Sequence, residues 1–366
     1  MNPLIDFSQL KITFLVGTLG QGGAEQQLFY ILRTLREQGS LVRALCLTKG
    51  EYWETPLRDL GVPVTWVGQS ASRLGRLRKI IAELQTDRPM ILQSQHFYTN
   101  LYAALAARAL GIREIGAMRC DGASEVAEHG RALGWLSLHL PRRLAVNSQG
   151  AIQFAEQHGV SPDRLFLLPN VIDHTRFQTP PRDGSPVVRL LTAGRLEPQK
   201  RMDRFLRMLA QLKTSATQPF KAVIAGDGAL RSSLQEQAAA LNLSPDIVEF
   251  RGRVNDMVSL YREAEVFVLT SDFEGTPNVV MEAMAAGLPV VATDVGGASD
   301  LIEHGKSGFL IAPNDEASLT ETVRQLCSAP ELRTRLGEAA RQRIETRFAL
   351  AQLPNFLSDL YRLALA

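Results

Sequence analysis

Short runs of Val, Ile and Leu alternate with longer stretches of helical periodicity along the whole chain, and that alternation restricts the folds open to it. In the first half the runs are "KITFLV", "VRALCLT", "VTWVG", "ILQSQ", "EIGAMR", "LAVNS" and "LFLLPNV". Between them lie patterns such as "AEQQLFYILRTLREQG", which puts Leu28, Ile31, Leu32 and Leu35 on one helical face. Strands apolar on both faces belong to sheets covered on both sides, and parallel strands need crossover helices to join them. Alternation therefore predicts parallel α/β sheets. At "HTRFQTPPRDGSP" (174–186) three prolines and a glycine stop the pattern, which reads as a linker. A second series follows: "VRLLTAG", "KAVIAGDG", "VEFRGRV", "VFVLTS", "PVVATD" and "GFLIAP", with helical stretches between them and two more helices up to about Arg347.

A chain of 366 residues is too long for one ordinary core and comfortable for two. The expected fold class is α/β, with two Rossmann-like domains over residues 1–175 and 176–345 and a helical tail over 346–366. In the tail Leu353, Phe356, Leu357 and Leu360 recur at helical spacing, which suits docking. Open α/β sheets bind ligands at the carboxyl ends of their strands, so a cleft between the domains is the expected site. The net charge of +2 lends no support to nucleic-acid binding. Cys46, Cys120 and Cys327 are scattered, with neither metal-type spacing nor a disulfide framework. No stretch has transmembrane length and "MNPLIDFSQLK" lacks the form of a secretory signal, so a reducing cytoplasm is expected.

Three stretches carry chemistry. In "SDFEGTPNVVMEAMAAGLPVVATD" (271–294), Pro277 suits the first turn of a helix and Thr276 its cap. The N–H groups of Asn278 and Val279 would then point outward at an anion, favoured by the helix dipole. Glu274, just ahead, would repel a phosphate and suits a hydroxyl; Glu282, about a turn in, suits a vicinal diol such as a ribose. Phosphate between diols describes a nucleotide-sugar. The plain alternative is that Glu274 caps the helix and Glu282 is solvated. In "TAGRLEPQKRMD" (192–203), Arg195 and Lys200 at a strand end would neutralise a diphosphate, although a lone strand-end arginine is usually a surface ion-pair partner. In "VGTLGQGGAEQQ" (16–27), Gly20, Gly22 and Gly23 allow close backbone approach, as does the similar turn in "VIAGDGALRSS" (223–233). Neither is G-x-G-x-x-G, and no acidic residue ends "VRALCLTKG", which disfavours a nicotinamide dehydrogenase.

With these motifs in hand, residues 188–313 resemble the retaining glycosyltransferases of family 4, which adopt the GT-B fold. "GRLEPQK" is similar to that family's strand-end Arg/Lys motif, Glu274 to Glu282 to its Glu-x7-Glu signature, and "MEAMAAGLPVVATDVGG" continues it. "GGAEQQL" and "LPNVIDHTRF" resemble its glycine loop and the end of its first domain. The chain departs from the pattern at Asn170–Val171, where glycine usually follows the asparagine, and at Ser299–Asp300, which replaces Pro-Glu.

The resemblance implies an acceptor-side first domain, a nucleotide-sugar second domain and a tail helix returning to the first. It assigns Arg195 and Lys200 to the diphosphate, Glu282 to the ribose and Glu274 to the donor-sugar hydroxyls. The stretch Gly275, Thr276, Pro277, Asn278 and Val279 would line the donor, with backbone N–H groups from Thr276, Asn278 and Val279. Gly22 and Gly23 would approach the phosphates from the other domain, His96 in "LQSQHFYTN" would face the donor sugar, and the backbone around Arg253 and Val254 would read the base. The two domains would close on the donor.

The implied donor is UDP-glucose or a related UDP-hexose, transferred with retention to a glycan or lipid-linked acceptor in cell-surface polysaccharide synthesis. Asp121 and Glu125, in "RCDGASE", suit the acceptor side better than a nucleophile's place, so front-face departure is expected. Positive groups would stand in for a metal; neither metal nor cofactor is expected. Basic and apolar residues in "SRLGRLRKIIAEL" (72–84) and "GWLSLHLPRRL" (134–144) suit weak peripheral contact with anionic lipid at the inner membrane face. The plain alternative is a solvated helix face and a core helix. A nucleotide-sugar epimerase of the same fold and a non-catalytic two-domain binding protein are the rival readings.

Overall fold

The computed structural model describes residues 4–178 and 186–366; residues 179–185, most of the stretch read as a linker, lie outside the described residues. Two compact units form, one from Met1–Val171 with Leu350–Ala366, the other from Ile172–Ala349. The chain thus changes unit at 171/172, where the sequence reading puts the boundary at 175/176. Ile172 already donates its N–H to Phe348 O at 2.9 Å, and both Ile172 and Phe177 pack in the second unit's core.

The first unit holds β1 (Lys11–Val16), β2 (Leu41–Cys46), β3 (Val64–Trp66), β4 (Ile91–Ser94), β5 (Arg113–Met118), β6 (Leu144–Val146) and β7 (Leu165–Leu167). They form one parallel sheet in the order β3-β2-β1-β4-β5-β6-β7. Ile12 through Val16 are buried, as a strand covered on both faces requires. Leu28, Ile31, Leu32 and Leu35 of the helix Gly23–Glu37 fill the same core. The tail helix Leu353–Leu365 joins them through Leu353, Leu357, Leu360 and Tyr361, and the Tyr361 hydroxyl donates to Gln93 Oε1 at 2.8 Å.

The second unit holds β8 (Val188–Ala193), β9 (Phe220–Ala225), β10 (Val248–Gly252), β11 (Val266–Leu269), β12 (Val290–Thr293) and β13 (Phe309–Ile311). This sheet is also parallel, in the order β10-β9-β8-β11-β12-β13. In each unit the strand order reverses beside the first strand, between β1 and β4 and between β8 and β11. Loops leaving neighbouring strands diverge there, and the crevice they leave at the carboxyl ends is where such sheets bind ligands. Gly17 and His96 follow β1 and β4. Lys200 and Glu274 follow β8 and β11.

Candidate active site

After β8 the chain makes a short helical turn, Pro198–Lys200, and then starts the helix Met202–Ser215 from Arg201 in the left-handed region (φ 47°). After β11 the loop 270–277 leads into the helix Asn278–Ala285. Hydrogen bonds tie the two loops together. Thr270 Oγ1 donates to Lys200 O and Arg201 O at 3.1 and 3.0 Å, Asp272 N–H to Gln199 O at 2.9 Å, and Gln199 Nε2 to Phe273 O at 2.8 Å. Arg204, only 2% exposed, donates to Thr270 O at 2.6 Å and to Asp272 Oδ1 at 2.9 Å.

The result is one tight contact. Lys200 Nζ lies 2.5 Å from Glu274 Oε1, and Ser271 Oγ donates to the same oxygen at 2.6 Å. Glu274 is buried, and its loop is backed by "VGG" (295–297): Gly297 N–H donates to Gly275 O at 2.6 Å. Gly296 takes a positive φ of 52°, and a Cβ there would lie 1.8 Å from Glu274 O. Only glycine fits.

Pro277 proves to be the helix N-cap and not a first-turn residue, so the helix starts one position later than Thr276 as cap would place it. The N–H groups of Val280 and Met281 both donate to Pro277 O, at 3.0 and 3.3 Å. The positive end of the helix dipole therefore lies just after the Glu274 loop. Glu282 is neither a cap nor a solvated position. It is half-buried, and its Oε2 accepts from the Tyr261 hydroxyl at 2.8 Å. Burial pushes its carboxyl up to about 7, against the opposing pull of that hydrogen bond and of the Arg176 charge. Arg195 does not join the Lys200–Glu274 pair: its side chain is 70% exposed and pairs with Glu197 at 3.0 Å. Val254 packs against the second unit's core, between β10 and the helix Met257–Glu263.

In the first unit His96 is fixed by both ring nitrogens. Gly17 N–H donates to Nδ1 at 3.1 Å, which assigns the proton to Nε2, and Nε2 faces Glu25 Oε1 at 3.2 Å. Glu25 is buried in the first turn of the helix Gly23–Glu37, where a carboxylate complements the dipole. The glycines here make room for side chains. A Cβ at Gly22, the N-cap preceding Gly23, would lie 2.4 Å from Glu25 Oε2, and one at Gly17 would lie 1.6 Å from the Tyr98 hydroxyl oxygen. Glu51 organises the same loop, accepting from Thr18 Oγ1 at 2.8 Å, Thr48 Oγ1 at 2.6 Å and Leu19 N–H. Against the upward push of burial, those hydrogen bonds hold its carboxyl below the usual range. Asp121 is a helix cap, accepting from Ser124 N–H at 2.9 Å, while burial, then Glu128 and Asp121, push Glu125 up to about 8.

Sequence reasoning missed Glu25, Glu51, Tyr98, Arg204, Asp272 and Tyr261. Glu25 had a local signal, standing directly after the glycines in "GGAE"; the others act through partners distant in sequence.

Residues 172–343 match the family model of glycosyl transferases group 1, and residues 22–171 that of a glycosyl transferase 4-like domain. The chain belongs to the family 4 glycosyltransferases. Over 346 residues the glycosyltransferase is 28% identical to a Campylobacter jejuni protein, the GalNAc-alpha-(1->4)-GalNAc-alpha-(1->3)-diNAcBac-PP-undecaprenol alpha-1,4-N-acetyl-D-galactosaminyltransferase, covering 91% of this chain and 93% of that one. It is 29% identical over 226 residues to the D-inositol 3-phosphate glycosyltransferase of Streptomyces scabiei, covering 56% of this chain and half of that protein's length. Its fold is GT-B, as in Anabaena HepE, solved with UDP: the TM-score is 0.84 at 21% identity, over 96% of this chain and 100% of that one. HepE has also been solved with UDP-glucose. Among the described residues no group of three or more His, Cys, Asp or Glu is placed to hold a metal ion, and no helix is long and apolar enough to cross a membrane.

Proposed function

We propose that this glycosyltransferase moves a hexosyl group from a UDP-sugar, UDP-glucose first among them, to a glycan or lipid-linked acceptor in cell-surface polysaccharide synthesis. Configuration at the anomeric carbon is retained. The observation that carries this reading is the buried Lys200–Glu274 contact beside a helix N-terminus at the second sheet's switch point. A cation and a carboxylate held at that spot suit a diphosphate and a sugar hydroxyl respectively. HepE's complexes with UDP and UDP-glucose and the Campylobacter relative's undecaprenol-linked substrate support the donor and acceptor classes.

In the proposed step the anomeric carbon–oxygen bond to the diphosphate breaks as the acceptor oxygen bonds to the same face. The leaving diphosphate oxygen takes the acceptor's proton. Lys200, the helix terminus and Arg195, released from Glu197, stabilise the charge that grows on the diphosphate. Glu274 orients the sugar hydroxyls, His96 contributes a sugar contact once its Nε2–H is released from Glu25, and the backbone at Val254 reads the base. No metal or cofactor enters this reaction.

The test is a thermal-shift panel of nucleotides and nucleotide-sugars, followed by proton NMR of the sugar released from the best donor. A ligand at ~100 times its dissociation constant raises stability by about 2.7 kcal/mol, so a UDP-sugar gives a clear shift. Release of the α-anomer from an α-linked donor is expected. First release of the β-anomer overturns retention, and a panel in which UDP compounds give no shift overturns the donor.

Glu282 makes this site pH-dependent. A carboxyl raised to about 7 in the folded chain contributes stability that is complete below its unfolded value and lost as pH rises through about 7. Ribose binding runs the other way, because a diol donates to the ionised form. UDP affinity should rise about tenfold from pH 6 to pH 8 by calorimetric titration, beyond the rise that remains in Glu282→Gln. Identical profiles for the two proteins would remove Glu282 from the ribose.

A further inference from the structure

We propose that the first unit carries an acceptor groove for a single amphiphile with an apolar chain and a phosphate; this rests on the glycosyltransferase reading above. The helices Arg73–Thr86, Asn100–Leu110 and Arg131–His139 contribute to a cavity of about 350 Å³. That is the size of a small-ligand pocket. Its walls are mostly apolar, from Leu74, Leu77, Leu101, Leu105 and Leu133. Leu74 and Leu105 are 57% and 39% exposed, an arrangement that leaves apolar surface in water until something covers it.

Charge and position say what covers it. Arg73 and Arg76 also line the cavity, and among the described residues no carboxylate pairs with either. Arg76 is held in place by donating to Ser70 O and Ala71 O, both at 3.0 Å. Two positive charges, one of them fixed, beside an apolar wall match an anionic group attached to a hydrocarbon chain. The cavity also reaches Tyr98 and His129, whose rings stack 5.5 Å apart. The Tyr98 ring lies 5.6 Å from that of His96 and covers Gly17, so the groove adjoins the loops after β1 and β4. An occupant with its chain among the leucines and its phosphate on the arginines would extend its sugar toward His96. A membrane surface would reach the exposed leucines without filling the cavity, so the occupant is one molecule.

The full-length protein is titrated calorimetrically with dodecyl phosphate below its micellar concentration, with inorganic phosphate, and with phosphatidylglycerol vesicles. Saturable one-to-one binding of dodecyl phosphate is expected, with inorganic phosphate at least tenfold weaker. Leu105→Glu, and independently Leu74→Glu, should weaken dodecyl phosphate at least tenfold, as should Arg73→Glu combined with Arg76→Glu. UDP binding by the same proteins should be unchanged, which also reports that they are folded. Equal affinity of wild type and the leucine variants overturns the groove, as does binding to vesicles alone. Failure of UDP to bind the wild type would strike the donor reading instead, and the dodecyl phosphate titration separates the two.

Discussion

Lys200→Ala should lower turnover by roughly two to three orders of magnitude, the usual effect of removing one preorganised charge-stabilising group. It should also lower stability. The reason is the company it keeps. The side chains of Lys200 and Glu274 are only 13% and 8% exposed, so removing the lysine leaves a carboxylate buried beside Ser271 alone. Breaking a buried pair from one side costs about 3–5 kcal/mol. Adding Glu274→Gln to Lys200→Ala should recover part of that loss, because a neutral amide no longer needs the cation. Arg195→Ala should separate the two effects, slowing transfer with little change in melting, since an exposed pair such as Arg195–Glu197 contributes about 0–1 kcal/mol. Steady-state rates with the donor and urea melts measure both. Wild-type turnover in Lys200→Ala would overturn its role at the diphosphate; an unchanged melt would overturn the buried pair.

Deleting residues 350–366 should unfold the first unit. Leu353, Leu357, Leu360 and Tyr361 are all within 1% of complete burial in that unit's core. At about 1.5–3 kcal/mol each they amount to ~6–12 kcal/mol, comparable with the whole stability of a domain. None of them belongs to the clusters that form the second unit's core, so its own melting transition should persist. Two point variants grade the effect. Leu357→Ala should cost about 2–5 kcal/mol by leaving a cavity. Tyr361→Phe should cost roughly 1–3 kcal/mol, because Gln93 is left buried without its hydroxyl partner. Scanning calorimetry of the truncated and full chains decides: an unchanged profile would mean that the tail carries no load.

The secondary elements and the candidate site residues were legible locally. Each of the thirteen strands among the described residues corresponds to an apolar run, because burial on both faces of a parallel sheet leaves a mark that needs no partner to be seen. Glu274 and Glu282 were visible as carboxylates at a helix start, Lys200 as a cation after a strand, and Gly22 and Gly23 as a turn into a helix. Their partners were not visible. Lys200 meets Glu274 across 74 positions, and His96 meets Glu25 across 71. Those meetings depend on β8 lying next to β11 and β1 next to β4, an order that strand periodicity does not encode. The tertiary structure also set Arg195 apart from Lys200, although both follow the same strand, because the short turn at Pro198–Lys200 carries the lysine under the Glu274 loop and leaves the arginine in solvent. Local sequence determined which charged groups and glycines this protein carries at its strand ends and helix starts, and on which elements they ride. Only the packing of strands and loops decided which charges are buried together, and burial is what raises Glu282 toward neutral pH and makes the Lys200–Glu274 contact strong.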